Sequence, residues 1–249
     1  MRLFFYSTFT RNAGALSQPA KGRTMIGLQI RKRQRQVSAA VVDSFRAMPV
    51  ANISDCMARM TAGGPRLRPM HASGRLAGPA LTVKTRPGDN LMIHKAIDLA
   101  QPGDVIVVDG GGDLTNALIG EIMVSYATRR GVAGFVINGA IRDVDMIGSG
   151  TFPVYAAGVT HRGPYKDGPG EINGPVAIDG MVIQPGDLIV GDADGFLCVP
   201  FDEVEAVGRA TTEKMAAEAK TLANIAAGRH DTSWIDAALK RIGCDPQAR

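Results

Sequence analysis

The sequence predicts an α/β domain, and three observations carry that prediction. Of the 249 residues, 45% are apolar and 21% charged, the balance of a folded chain with a sizeable core and not of a disordered or collagen-like one. Residues 104 to 137 read as strand, helix and strand, with the length of a βαβ crossover. The phrase Gln101-Pro102-Gly103-Asp104-Val105-Ile106-Val107-Val108-Asp109 returns as Gln184-Pro185-Gly186-Asp187-Leu188-Ile189-Val190-Gly191-Asp192, each time a Pro-Gly-Asp turn that launches a strand. One turn-to-strand device used twice explains the repeat better than two active sites do.

Taken in order, residues 1 to 24 are set apart as a basic, flexible extension, and 25 to 249 form a single domain. The apolar stretch Leu3 to Tyr6 is too short for a secretory signal or a membrane span. An Arg-rich, acid-free leader suits either an organellar address or an upstream start ahead of Met25; the second reading, with a cytoplasmic protein, is preferred. Arg31 to Arg35 reads as a solvated helix start. Ser38 to Met48 has helical spacing and stops before Pro49, and Asn52-Ile53-Ser54-Asp55 offers an N-cap for a second helix ending at Gly63-Gly64. A strand at 78–84, a turn at Pro87-Gly88-Asp89 and a helix from His94 to Ala100 follow. After strand 104–108 come the turn Asp109-Gly110-Gly111-Gly112-Asp113, a helix from Ala117 to Arg130 halted by Gly131, and strand 132–137. Further strands are expected at 152–156, 175–178 and 195–199. The tail, about 202 to 243, is helical, with Asp202 and Glu205 as a capping pair before an Ala-rich stretch to Ala227 and a last helix from Ser233 to Ile242.

Charge and cysteine usage exclude several classes of function. The net charge of +4 resides in residues 1 to 42, which hold eight basic residues and no acid; the remainder carries 20 basic against 24 acidic residues. A broad nucleic-acid face is therefore not supported. Cys56, Cys198 and Cys244 are odd in number and far apart, which suits a reducing compartment and gives neither a disulfide framework nor a zinc knuckle.

In a βαβ unit the helix N-terminus and the C-terminal end of the next strand lie at one edge, where ligands bind. That edge brings Gly120-Glu121-Ile122-Met123 towards Arg142-Asp143. The set combines backbone N–H groups for an anion, a guanidinium for a carboxylate and two carboxylates for a hard cation. By itself an Arg-Asp dipeptide is more often a surface ion pair than a site.

Glu121 followed by Arg142-Asp143 also resembles the signature of the RraA-like family, which includes the 4-hydroxy-4-methyl-2-oxoglutarate / 4-carboxy-4-hydroxy-2-oxoadipate aldolases. The resemblance runs through Asn52-Ile53-Ser54-Asp55, Gly78-Pro79-Ala80, Gly88-Asp89-Asn90-Leu91, Pro102-Gly103-Asp104, Gly112-Asp113, Gly131-Val132-Ala133-Gly134, Gly139-Ala140-Ile141-Arg142-Asp143, Pro185-Gly186-Asp187 and Asp192-Ala193-Asp194-Gly195, roughly residues 37 to 210. It implies a β/β/α sandwich of the swivelling, phosphohistidine-domain-like type with peripheral N- and C-terminal helices. It also implies a homo-oligomer, trimer or hexamer, with its active site in a cleft between subunits. By the same resemblance Asp143 ligates a divalent metal, Mg²⁺ or Mn²⁺, Arg142 holds a small 2-oxo acid, and Gly120, Glu121, Ile122 and Met123 bind its carboxylate. Glu121 then orients a water held by that metal. The segment from Arg162 to Asn173 and the tail from Thr232 to Leu239 look more like generic RraA-like paralogues than like the aldolases of aromatic-ring catabolism, and an acidic residue that a neighbouring subunit's tail supplies in the aldolases has no match here.

Other candidates fare worse. Gly110-Gly111-Gly112 lacks the spacing of a dinucleotide loop. His71, His94, His161 and His230 have no metal spacing, so structural or surface roles are favoured for each. Lys84, on a strand, is the one tempting Schiff-base lysine. The expected activity is that of a metal-dependent lyase that cleaves a carbon–carbon bond beside a 2-oxo acid, by retro-aldol cleavage or oxaloacetate decarboxylation. The alternative is a non-catalytic regulator that binds and inhibits a ribonuclease.

Overall fold

The computed structural model describes residues 26–60 and 63–245. The reading of residues 1 to 24 lies outside them. Along the chain run β1 (Leu28–Ile30), α1 (Ala39–Phe45), α2 (Val50–Cys56), β2 (Arg68–Pro69), β3 (Leu76–Thr85), α3 (Leu91–Leu99), β4 (Val105–Asp109), β5 (Ala117–Ile119), α4 (Glu121–Arg129), β6 (Gly134–Ile141), α5 (Val144–Ser149), β7 (Val154–Val159), β8 (Gly170–Ile172), β9 (Val176–Ile178), β10 (Met181–Ile183), β11 (Leu188–Asp192), β12 (Gly195–Val199), α6 (Val204–Ala226) and α7 (Ser233–Arg241).

A mixed sheet organises these elements, in the order β1-β8-β3-β4-β6-β7-β2. Its centre, β3-β4-β6-β7, is parallel. β6 is buried from end to end, as a strand covered on both faces must be, and it reads as a nearly continuous apolar run. On one face, Leu81, Val83, Ile106, Val108, Phe135 and Ile137 pack against Ile93 and Ile97 of α3 and Val124 and Ala127 of α4. On the other, Ala80, Val105, Val107 and Val136 meet Val176, Ile178, Met181 and Ile183 of the β9–β10 hairpin. Each fully buried large aliphatic contributes about 1.5–3 kcal/mol. A third cluster joins α1, α2 and the start of α6 to β11 and β12. The result is a mixed α/β fold with helices on one side of the sheet, a hairpin on the other, and helices at both ends of the chain.

Several local expectations need correction. The helix expected from Ala117 starts at Glu121, because Ala117–Ile119 is buried and extends the sheet as β5 beside Ala140 and Ile141. The second helix begins at Val50 with Pro49 at its N-cap, so Asn52 is interior; it is buried, and its amide donates to Glu218 at 2.6 Å. That helix ends at Cys56, well before Gly63. Arg31 to Arg35 is not a helix start: the segment is extended, and Arg31, Arg33 and Arg35 pair with Glu171, Asp104 and Asp202 at 2.8, 2.8 and 2.9 Å. Asp202, spent on Arg35, does not cap α6, whose N-cap Glu203 makes no side-chain capping bond. Strand 132–137 runs instead from Gly134 to Ile141, and strand 152–156 from Val154 to Val159. The tail is helical as expected, yet α6 buries only Val204, Val207 and Thr211, and α7 buries nothing. The three cysteines are free. Among the described residues no helix is long and apolar enough to cross a membrane.

Candidate active site

The end of β6 and the start of α4 converge as the βαβ argument requires. Asp143, two residues beyond the end of β6, adopts the left-handed conformation (φ 57°, ψ 41°), which aspartate tolerates better than most residues. Its Oδ2 accepts the Glu121 N–H at 2.9 Å and lies 3.7 Å from Arg142 Nε. Glu121 thus meets Asp143 through its main chain, while its own side chain is exposed. Gly120, at an extended φ of −157°, is required by space and not by conformation: a Cβ there would run into the Asp143 carboxylate and stand 3.0 Å from Arg142 Cγ. The Met123 and Val124 N–H groups both bond Gly120 O at 3.1 Å, and the Glu121 N–H is taken by Asp143. Of the first helical donors, Ile122 N–H is left without a protein acceptor among the described residues. Ile122 is 79% exposed, whereas the Met123 side chain is buried.

Arg142 and Asp143 separate two depressions. The outer one, about 390 Å³, also includes Glu121, Asp145, Thr160 and His161. The inner one, about 130 Å³, is lined by Gly120, Ile122 and Met123 together with Asn90, His94, Pro164 and Lys166. Sequence reasoning placed none of these last four at the site. Asn90 is the N-cap of α3, and His94, whose N–H bonds Asn90 O at 3.1 Å, lies one turn further on. Asn90 is 3% exposed; its Nδ2 donates to Leu118 O at 2.9 Å and to Met123 Sδ at 3.3 Å, while its Oδ1 is buried without a partner.

Lys166 arrives on a loop that Asp89 ties down. The buried Asp89 carboxylate accepts the Asp167 and Gly168 N–H groups at 2.7 and 2.8 Å through Oδ2 and caps α3 through Leu91 N–H at 2.9 Å. Tyr165 N–H donates to Gly88 O at 2.8 Å, and Asn90 N–H returns to Tyr165 O at 3.0 Å. Burial alone would raise the Asp89 carboxyl; the three N–H donors and Arg86 together outweigh it and hold the group below the ordinary carboxylate value. The Gly88-Asp89-Asn90-Leu91 phrase was visible in the sequence, but nothing local revealed that its aspartate holds a loop some 80 residues on.

The remaining candidates separate cleanly. Lys84 is exposed on β3, so it is not the desolvated lysine that Schiff-base chemistry needs. His71 sits against backbone, with ring nitrogens 3.1 Å from Val154 O and 3.3 Å from Gly74 O. A larger depression, about 740 Å³, lies elsewhere, along Arg31 to Gln36. Its three arginines are committed to the ion pairs given above, which leaves it a groove beside an anchored arm. Among the described residues no three His, Cys, Asp or Glu side chains gather as a metal-binding group.

Residues 50–198 match the model of the RraA-like family, described as aldolase/RraA. The chain belongs to the RraA-like family. An RraA-like relative from Halalkalibacterium halodurans, named provisionally as 4-hydroxy-4-methyl-2-oxoglutarate aldolase, is 40% identical over 181 residues, 73% of this chain and 86% of the relative. Among solved structures, the RNA-processing inhibitor RraA from Thermus thermophilis superposes with a TM-score of 0.56 at 29% identity, over 61% of this chain and 92% of that one. RraAS2 of Streptomyces coelicolor, described as an unusual member of the RNase ES inhibitor RraA family, gives 0.69 at 25% identity, over 75% and 98%.

Proposed function

We propose that this RraA-like protein is a divalent-metal-dependent carbon–carbon lyase that acts on small 2-oxo acids through the enolate of pyruvate. Its reactions are retro-aldol cleavage of 4-hydroxy-4-methyl-2-oxoglutarate-like diacids and decarboxylation of oxaloacetate. The observation that carries this reading is the convergence of Arg142, Asp143 and the N-terminus of α4 on a small pocket whose wall is otherwise largely apolar. The volume, about 130 Å³, is well under the ~300 Å³ at which drug-sized ligands begin to fit, and it suits a four-carbon acid or one three-carbon half of a larger diacid.

A divalent cation suits the donors present. Asp143 is 40% exposed and spends Oδ2 on Glu121 N–H and Arg142, so Oδ1 remains for a metal. With a single carboxylate ligand, the rest of the shell falls to waters and substrate oxygens, the habit of Mg²⁺ or Mn²⁺. When bound, such a cation supplies Lewis-acid polarisation of the keto group. Arg142 offers a guanidinium where enolate charge develops, so its contribution grows towards the transition state. Ile122 N–H, at the positive end of α4, and Lys166 at the pocket mouth serve the substrate carboxylates. The name of the Halalkalibacterium relative supports the aldolase half of this reading.

The reading also carries a homo-oligomer, trimer or hexamer, with the site between copies. Trp234, Ile235 and Ile242 of the tail and Ile122 at the pocket rim are exposed apolar surface that such an assembly would cover. A second reading, inhibition of a ribonuclease by direct binding, rests on the likeness to the Thermus and Streptomyces structures. One assay separates the two. Purified protein with Mg²⁺ should release pyruvate from oxaloacetate faster than Mg²⁺ alone; Asp143→Ala should abolish this. Arg142→Lys, which keeps charge but loses the planar fork, should lower kcat/KM by about 10²-fold, equivalent to about 2.7 kcal/mol. If the parent gives no pyruvate above the metal blank, the regulator reading prevails.

A further inference from the structure

His94 differs from the other three histidines. His71 is held against backbone, and His161 and His230 are exposed. His94 is half-buried on α3 and lines the inner pocket with Arg142 and Asp143; neither ring nitrogen has a partner among the described residues. Asn90, the N-cap of α3, lines the same pocket, and its fully buried Oδ1 has no partner. Buried polar atoms almost always find partners. An imidazole with no protein partner on the wall of this pocket is open to a ligand that carries an exchangeable proton.

The charges around His94 favour its neutral form. Burial lowers its pKa, the Lys166 ammonium pushes the same way, and Asp98 on α3 opposes them. Arg142 and Asp143 face it across the pocket, and Lys95 follows it on α3. A neutral imidazole presents one acceptor nitrogen, the requirement for a base.

We propose that His94 is the base of carbon–carbon cleavage, taking the hydroxyl proton of a 4-hydroxy-2-oxo acid whose C4 half enters the inner pocket. This rests on the lyase reading and names the group that retro-aldol chemistry requires. As the O–H bond breaks, its electron pair forms the new carbonyl at C4. The C3–C4 bond breaks, and its electrons pass into the pyruvate enolate. The proton on His94 is then delivered to C3, giving pyruvate and a second carbonyl compound and restoring the neutral ring, with no other reactant consumed. The pocket's size limits the C4 half to about the bulk of pyruvate, with a carboxylate set against Lys166.

Decarboxylation of oxaloacetate supplies the internal control, since it removes no hydroxyl proton. His94→Gln keeps hydrogen-bonding capacity but accepts no proton near pH 7. It should lower pyruvate release from 4-hydroxy-4-methyl-2-oxoglutarate by about 10²-fold, at least ten times more than it lowers release from oxaloacetate. The parent's cleavage rate should fall as acid protonates the imidazole, and this limb should be missing from the variant. His94→Asn, assayed alongside and checked for an unchanged melting temperature, covers the case in which the glutamine variant does not fold. Equal loss in both reactions, or no loss in cleavage, overturns the proposal. So does a parent that decarboxylates oxaloacetate yet cleaves no 4-hydroxy-2-oxo acid, an outcome that leaves the lyase reading standing. A parent inactive on both overturns the lyase reading and this inference with it.

Discussion

The two Pro-Gly-Asp phrases fold alike and then part company. Asp104 Oδ2 accepts the Gln101 N–H, and Asp187 Oδ2 the Gln184 N–H, both at 2.9 Å. Each aspartate returns its own N–H to the same glutamine at 3.1 Å, and Gly103 and Gly186 take φ of +91° and +90°. Beyond the turn, β4 pairs in parallel with Ala80–Lys84 of β3 and with β6, the strand that runs out into Arg142-Asp143. β11 pairs antiparallel with Leu76–Pro79 of the same strand and doubles back through β12 under α1, α2 and α6. Turn chemistry is a short-range instruction that the chain executes twice. Whether the strand it launches leads to a site depends on the neighbours that strand finds.

The strongest way to break this comparison is to remove the two aspartates. Each is almost completely buried, but the second oxygens are spent differently: Asp104 Oδ1 on Arg33 at 2.8 Å, Asp187 Oδ1 on the Phe201 N–H at 2.9 Å. Asp104→Ala and Asp187→Ala should each destabilise the protein by about 2–4 kcal/mol, because buried donors lose their acceptors. Urea denaturation measures that loss. Asp104→Ala should also leave the Arg31–Arg35 arm more open to trypsin in the native state than Asp187→Ala does, since Asp104 is the carboxylate that pairs with Arg33.

A smaller contrast separates the two glycines. Alanine at either must bear a positive φ, which costs about 1–2 kcal/mol. At Gly103 the new Cβ meets open space, whereas at Gly186 it collides with the Arg35 carbonyl. Gly186→Ala should therefore be the worse by about 1–3 kcal/mol; equal melting temperatures would show that the arm yields freely.

The smallest effect sharpens the site end of the comparison through pH. Asp89 has its carboxyl held below the ordinary value of 3.8, so its contribution is fully present above that value. It is lost as pH falls through the lower folded value, releasing the loop that carries Lys166. Asp89→Asn should flatten the acid limb of the stability curve below about pH 4 in urea titrations, and it should weaken 2-oxo acid binding at neutral pH.

Local grammar in the sequence carried far, because its signals act over a few residues. Both Pro-Gly-Asp turns, the halt of α4 at Gly131, the parallel β4–α4–β6 unit and the meeting of Glu121 with Arg142-Asp143 all depend on neighbours within one supersecondary unit. Where local grammar misled, a distant partner had intervened. Arg35 took Asp202 away from α6, Glu218 drew Asn52 into a helix interior, and the edge of β6 turned Ala117–Ile119 into a strand where helical spacing had suggested a helix.

The sequence by itself determined the family, the α/β class and the Arg142-Asp143 edge, since those are written in contiguous phrases. Only the tertiary structure decided what surrounds that edge. His94, Asn90 and Lys166 come from a helix and a loop that Asp89 fastens together across 78 residues of chain, and no periodicity or spacing along the sequence encodes a contact of that range. A buried carboxylate satisfied by three N–H donors does.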